Sequence, residues 1–313
     1  MGGKDATERL SSGSTGIARA AAILASGGLV AVPTETVYGL AARADRPEAV
    51  AKIYAAKGRP DFNPLIVHVA DLEAAESIAQ IDDRARDLAA QFWPGPLTLV
   101  LPLRENAPVA PAVTAGLPTI AVRVPAHPVM RAVLRKSGLR LAAPSANRSG
   151  GVSPTSASHV LASLGGRIDA VIDGGLCERG IESTIVALRP ASWEILRPGP
   201  VTEGEITGIL GESGGVMTQG IEAPGQLASH YAPGKPVRLE APEARADEFL
   251  IGFGPVPGDC SLSPVGDLAE AAARLYDCLH LAAGSAKPRV AVAPVPREGI
   301  GIAINDRLAR AAA

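Results

Sequence analysis

LVAVPTETVYGL, residues 29–40, decides the fold class. Leu29 to Val32 is an apolar run of strand length, and the polar stretch Pro33–Leu40 follows it directly. An apolar run that stops at two threonines, a glutamate and a glycine reads as a buried strand whose end is given over to polar groups. In open α/β sheets, ligands gather at such strand ends. The plainer alternative is a polar turn in which Thr34 or Thr36 bonds its own backbone.

Working outward, the Ala-rich segment Ser14–Ser26 reads as a helix closed by Gly27 and Gly28, and residues 1–13 as a flexible tail. Further helices are expected over Pro47–Ala56, Asp82–Phe92, His127–Lys136 and Pro154–Leu164, the first with proline in its first turn. Strands are expected at Leu65–Val69, Leu97–Leu103, Ile120–Val124, Leu139–Ala143, Asp169–Ile172, Thr184–Leu188 and Trp193–Leu196. Interleaved helix and strand mean an α/β fold. Several strands follow one another with no helix between them, which argues against a purely parallel sheet. Residues 14–210 form this first domain. The Gly-, Pro- and Ser-rich stretch 211–236 reads as a linker, although it carries His230 and Tyr231. Beyond it, 237–313 is a second, small α/β domain. Its expected strands are Val237–Leu239, Glu248–Phe253 and Arg289–Ala293, and its helices Leu268–Leu281 and Ala303–Ala311.

Composition narrows the function. With 47% hydrophobic residues among 313, the chain can bury a substantial core. A formal charge of -2 and an aromatic content of 3% argue against a protein that coats nucleic acid or stacks bases. Cys177, Cys260 and Cys278 are far apart and lack C-x-x-C spacing, so free thiols in a reducing compartment are expected rather than zinc or disulfides. No leader-like apolar segment opens the chain, and no run reaches the ~18 apolar residues of a membrane helix. A cytoplasmic location is the expectation.

Four more stretches could carry chemistry. In KGRPDFNPL, residues 57–65, Lys57 and Arg59 flank a glycine, an arrangement suited to a polyphosphate; a helix C-terminus favoured by the dipole is the alternative. A Walker A run and G-x-G-x-x-G are both missing, so a nucleotide site must be built otherwise. His68 lies in a strand, where a satisfied core histidine is the ordinary case. Arg123, in IAVRVP, needs a carboxylate partner from the protein or from a ligand. APSANRSGGVSPT (143–155) leads into a helix start near Pro154 whose free N–H groups could receive an anion. ERGIESTIVAL (178–188) and ILRPG (195–199) are further polar strand ends. Together they outline a hydroxyl-rich cleft that binds and orients reactants rather than attacking them covalently.

PTETVYGL, the K-x-R-P and NPL elements, Ser145 with Asn147, GIESTIV, ILRPG, SHYAPGKP and GIGIAINDRLARAA occur in that order. The set resembles the L-threonylcarbamoyladenylate synthase family in its long two-domain form, over nearly the whole chain from about Ser14. The resemblance implies a YrdC-like twisted mixed-sheet domain followed by a small Rossmann-like α/β domain. It implies that threonine takes up bicarbonate or CO2 and that the carbamate attacks ATP, giving threonylcarbamoyl-AMP and pyrophosphate for tRNA modification. Carried over residue by residue, Thr36, His68, Arg123, Ala143 and Ser183 would surround L-threonine. Lys57, Arg59, Asn63, Thr119, Ser145, Asn147, Ser153, Arg197 and Tyr231 would hold ATP, with Lys57 and Arg59 as the catalytic cations and the linker as a lid. Mg2+ would come with ATP, with no metal ligands from the protein. A downstream tRNA threonylcarbamoyl transferase would take the product, and neither stable nucleic-acid binding nor a membrane is implied. An RNA-binding YrdC-like module and a carbamoyl-adenylating enzyme acting on another amine are the rivals.

Overall fold

The computed structural model describes residues 6–213, 220, 222–226 and 229–313. The first domain runs β1 (Glu8–Ser11), α1 (Ser14–Ala25), β2 (Val30–Val32), β3 (Gly39–Arg43), α2 (Pro47–Lys57), β4 (Ile66–His68), α3 (Leu72–Glu76) and α4 (Asp83–Phe92). It continues with β5 (Leu97–Pro102), α5 (Pro111–Thr114), β6 (Thr119–Arg123), α6 (Pro128–Ser137), β7 (Leu141–Ala142) and α7 (Ala157–Leu164). It closes with β8 (Ala170–Asp173), β9 (Thr184–Leu188), β10 (Trp193–Arg197) and α8 (Glu203–Leu210). After the linker come β11 (Val237–Arg238), β12 (Glu248–Gly252), β13 (Cys260–Ser261), α9 (Leu268–Gly284), β14 (Arg289–Val292) and α10 (Gly301–Ala312).

The first domain is built on one sheet of order β1-β8-β2-β3-β7-β4-β6-β5-β9-β10. It is mixed: β4 runs parallel to β6 and β5 to β9, whereas β5 and β6, β3 and β7, and β9 and β10 are antiparallel. Strand alternation assigns the two faces. Ala31, Leu40, Val67, Leu99, Val122 and Val186 point into the main core, against Val50 and Ile53 of α2, Leu88 of α4, Val160 of α7 and Ile206 of α8. On the other face, Val30, Val32 and Leu141 pack against α1 and α6 through Leu24, Met130 and Val133. Further along that face, Ile66, Val100, Ala121, Ile185 and Ala187 meet Ala223 of the linker instead. The period of two therefore puts His68, Arg123 and Ser183 on this same face, next to Ile66, Ala121 and Ile185.

The second domain has a four-stranded parallel sheet of order β11-β14-β12-β13. Its core of Ile251, Leu275, Leu279, Val290 and Ile304 runs on without a break into Val37, Val152, Ile181 and Tyr231 of the first domain and linker. α9 and α10 are thus packed against the rim of the cleft.

Two expectations change. Residues 8–11 are not tail: β1 pairs parallel with β8, and Arg9 forms an ion pair with Asp173. Residues 1–5 lie outside the described set. α7 begins at Ala157, not Pro154, because the Ser156 side chain caps it by accepting from the His159 N–H. Sequence reading also passed over α8, although Thr202 and Glu205 form a capping box at its start.

Candidate active site

The loop between β2 and β3 folds back on itself. Thr34 Oγ1 accepts from the N–H groups of Thr36 and Val37, both at 3.2 Å, and donates to the Val37 carbonyl at 2.6 Å. The self-bonded turn is therefore correct for Thr34. It leaves Thr36 facing β6, where its hydroxyl accepts from Arg123 at 3.0 Å. Arg123 also donates to the Gly95 carbonyl at 3.1 Å and to the Glu35 carboxylate. The partner demanded by this buried guanidinium comes from the protein, two positions after the proline that ends the strand. Burial pushes the Glu35 carboxyl up, but Arg123 and the N–H of Ala126 outweigh it and hold the pKa below the ordinary 4.5. Burial, with the nearby Arg123 charge, lowers the His68 pKa to about 3, so the ring is neutral at neutral pH. Its Nδ1 has no partner among the described residues.

The cations across the cavity are held differently. Gly58, in the left-handed region at φ 60°, ends α2. The Lys57 ammonium reaches the carbonyls of Ser145 and Asn147. Arg59 donates to the carbonyls of Asn63 at 3.2 Å and Pro64 at 2.9 Å. Arg197 donates to the Ser183 carbonyl at 3.0 Å, the Ser183 hydroxyl at 3.1 Å and the Pro224 carbonyl at 3.2 Å. All three side chains are buried, and among the described residues none has a carboxylate at ion-pair distance. Burial lowers the pKa of each, that of Arg59 to about 10. Three buried cations held only by neutral oxygens are costly unless an anion joins them.

The linker closes this space. Pro224 accepts from Arg197, and Ala232 donates to the Gly150 carbonyl at 2.9 Å. Gly225, at φ 92°, passes so close to Arg197 that an added Cβ would lie 2.7 Å from its Cδ. Tyr231 is 1% exposed. What remains is a cavity of about 40 Å³, room for a few waters.

Thr36, Arg59, His68, Arg123, Ala143, Ser145, Ser183, Arg197 and Tyr231 line the cavity. Lys57, Asn63, Asn147 and Ser153 stand behind the wall: Lys57 is bonded to Ser145, Asn63 to Arg59, Asn147 to Lys57, and Ser153 to Glu182. Asn63 and Asn147 each leave a buried Oδ1 without a partner among the described residues. Thr119 is not brought to the cavity; it starts β6, four positions from Arg123, opposite Pro102.

A family model described as "Telomere recombination" matches residues 22–199, and one described as "Threonylcarbamoyl-AMP synthase, C-terminal domain" matches 201–313. The threonylcarbamoyl-AMP synthase of Bacillus subtilis (strain 168) is 40% identical, covering 98% of this chain and 96% of its own length. The chain belongs to the threonylcarbamoyl-AMP synthase family. The Pyrococcus abyssi synthase is 39% identical over 93% of this chain and 92% of its own length. The crystal structure of P. abyssi Sua5 complexed with L-threonine superposes with a TM-score of 0.89 at 36% identity, covering 98% of this chain and 97% of that one. The threonylcarbamoyl-AMP synthase family is of the nucleotidyltransferase type, and membership accounts for the two-domain architecture seen here. Among the described residues no helix is long and apolar enough to cross a membrane, and no group of His, Cys, Asp and Glu is arranged to hold a metal ion.

Sequence reasoning missed Glu35 and Glu182 as parts of the site. Both were in quoted motifs. For Glu35 the signal was the buried arginine it had to neutralise; for Glu182 it was its place beside Ser183 at a strand end.

Proposed function

We propose that this chain condenses L-threonine, bicarbonate or CO2, and ATP to threonylcarbamoyl-AMP and pyrophosphate, for transfer to tRNA by a downstream threonylcarbamoyl transferase in the cytoplasm. The observation that carries the nucleotide half is the buried trio of Arg59 and Arg197, which line the cavity, and Lys57, directly behind its wall, with carbonyl and hydroxyl partners only. A polyphosphate supplies the charge they lack.

The threonine half is the opposite wall. The Arg123 guanidinium, oriented by Glu35, would share its Thr36-facing edge with the threonine carboxylate. Neutral His68 adds no positive charge beside it, and Ser183 and Ala143 shape the rest of the wall. The threonine amine nitrogen forms a bond to the carbon of CO2 and loses a proton. A carbamate oxygen then bonds to the α-phosphorus while the bond to pyrophosphate breaks. Nothing in this sequence calls for a protein nucleophile; positioning and fixed positive charge lower the barrier. The residues fit a magnesium ion carried by the nucleotide, because the cavity's carboxylate, Glu182, already accepts from Ser153, Tyr276 and Arg307. When bound, such an ion neutralises phosphate charge.

The linker acts as a lid in this reading. A cavity of about 40 Å³ is far below the roughly 300 Å³ of ordinary ligand sites, so in this reading ATP enters only after Pro224, His230 and Tyr231, which line it, move. Reclosure with Tyr231 in place excludes water from a readily hydrolysed mixed anhydride. The test is pyrophosphate release from ATP with and without L-threonine and bicarbonate, with mass analysis of the product. Release that needs both and yields threonylcarbamoyl-AMP is expected; release indifferent to threonine overturns the reading.

A further inference from the structure

We propose that Arg307, from the second domain, is a positioning residue for the nucleotide half of the site: it neutralises Glu182 and holds Tyr231 against the cavity. The assignment rests on the ATP-binding part of the reading above and gives the second domain a direct share in that site.

Glu182 is the acidic side chain on the cavity wall. Its field reaches Lys57, Arg197 and His230. A free carboxylate there would repel a polyphosphate and compete for the cations meant for it. The structure instead ties it down from both domains. Oε2 accepts from Arg307 Nε at 3.0 Å and from the Tyr276 hydroxyl at 2.7 Å, while Oε1 accepts from Ser153. Burial pushes the Glu182 carboxyl up, but Arg307, Arg197 and these hydrogen bonds bring it down to about 2, so it remains charged and needs its counter-ion.

Arg307 is built for this task. It lies on α10 with a side chain that is 0% exposed, and it crosses the domain boundary to donate also to the Pro198 carbonyl at 2.9 Å. Pro198 directly follows Arg197, so the same guanidinium anchors the strand end that carries a nucleotide-side cation. The guanidinium carbon sits 5.4 Å from the Tyr231 ring centroid, and the Tyr276 ring is 5.6 Å from Tyr231. Tyr231 is itself in the left-handed region at φ 63°, so its position depends on these neighbours. One arginine therefore links the carboxylate, the lid residue and the β10 end.

The experiment is direct calorimetric titration of the full chain with Mg-ATP and, separately, with L-threonine. Arg307→Met takes the ion-pair partner from Glu182 and leaves it the hydrogen bonds of Ser153 and Tyr276. It is expected to weaken ATP binding about tenfold or more while threonine binding stays within about twofold. The double variant Glu182→Gln/Arg307→Met removes both charges but does not restore the contacts to Tyr231 and Pro198, and is expected to recover most, not all, of the lost ATP affinity. A purely architectural role would leave the double variant as weak as the single one. That result, or an Arg307→Met variant that binds ATP normally, overturns the assignment. If Arg307→Met gives no melting transition, Tyr276→Phe carries the test, with an expected loss of about threefold for ATP only; unchanged ATP binding then overturns it. A parent protein that binds ATP but not L-threonine would sink the proposed reaction and leave this assignment standing. A parent that binds neither sinks both.

Discussion

Arg123 and Arg197 are both buried guanidiniums at the edge of one cavity, and they differ in what they hold. Arg123 has a carboxylate, Glu35, a threonine hydroxyl and a carbonyl. Arg197, with Lys57 and Arg59 nearby, has carbonyls and one serine hydroxyl. The first wall is electrically complete before any substrate arrives, so a ligand there must share an occupied cation. The second wall carries charge that the protein does not neutralise by direct pairing. Burying such charge costs stability, and that cost is recovered when an anion binds. Under the function proposed above, the first wall would recognise the threonine zwitterion and the second would receive phosphates.

The largest effect should come from breaking the completed wall. Arg123→Ala leaves Glu35 buried and unpaired, so stability should fall by about 3 kcal/mol in chemical denaturation. The threonine KM should rise about a hundredfold while the ATP KM changes no more than about threefold. Equal effects on both substrates would remove the distinction between the walls. Lys57→Met tests the other wall with the opposite sign for folding. ATP KM should rise about tenfold, yet the ligand-free protein should melt no lower than the parent, because an uncompensated buried charge has gone. A large loss of stability would mean that Lys57 mainly ties Ser145 and Asn147 to α2. The smallest effect is expected at Thr119, which lies outside the cavity. Thr119→Ala should leave both KM values within about twofold. A selective rise for ATP would show that the opened cleft extends to the start of β6.

Much of the architecture was legible in the chain because periodicity and punctuation are local. The apolar runs at Leu29–Val32, Leu65–Val69 and Ile120–Val124 coincide with β2, β4 and β6, and the absence of helices between successive strands announced the mixed sheet. β1 was not legible, because ERLS is polar and acquires strand geometry only by pairing with β8. α8 was legible in its capping box and was passed over. The motifs brought most of the expected side chains to one cavity, but the sequence could not say that Ser153 and Lys57 would stand behind its wall or that Thr119 would lie away from it.

By itself, then, the sequence determined the α/β class and the polar strand ends that converge on one face. Each of these rests on patterns spanning a few residues. Only the tertiary structure decided which charges are matched. Glu35 reaches Arg123 across 88 positions and Glu182 reaches Arg307 across 125, and such pairings follow from how sheets and domains pack, not from anything local. The same packing decided that Lys57, Arg59 and Arg197 are left with carbonyls and one serine hydroxyl, the feature on which the proposed nucleotide site rests.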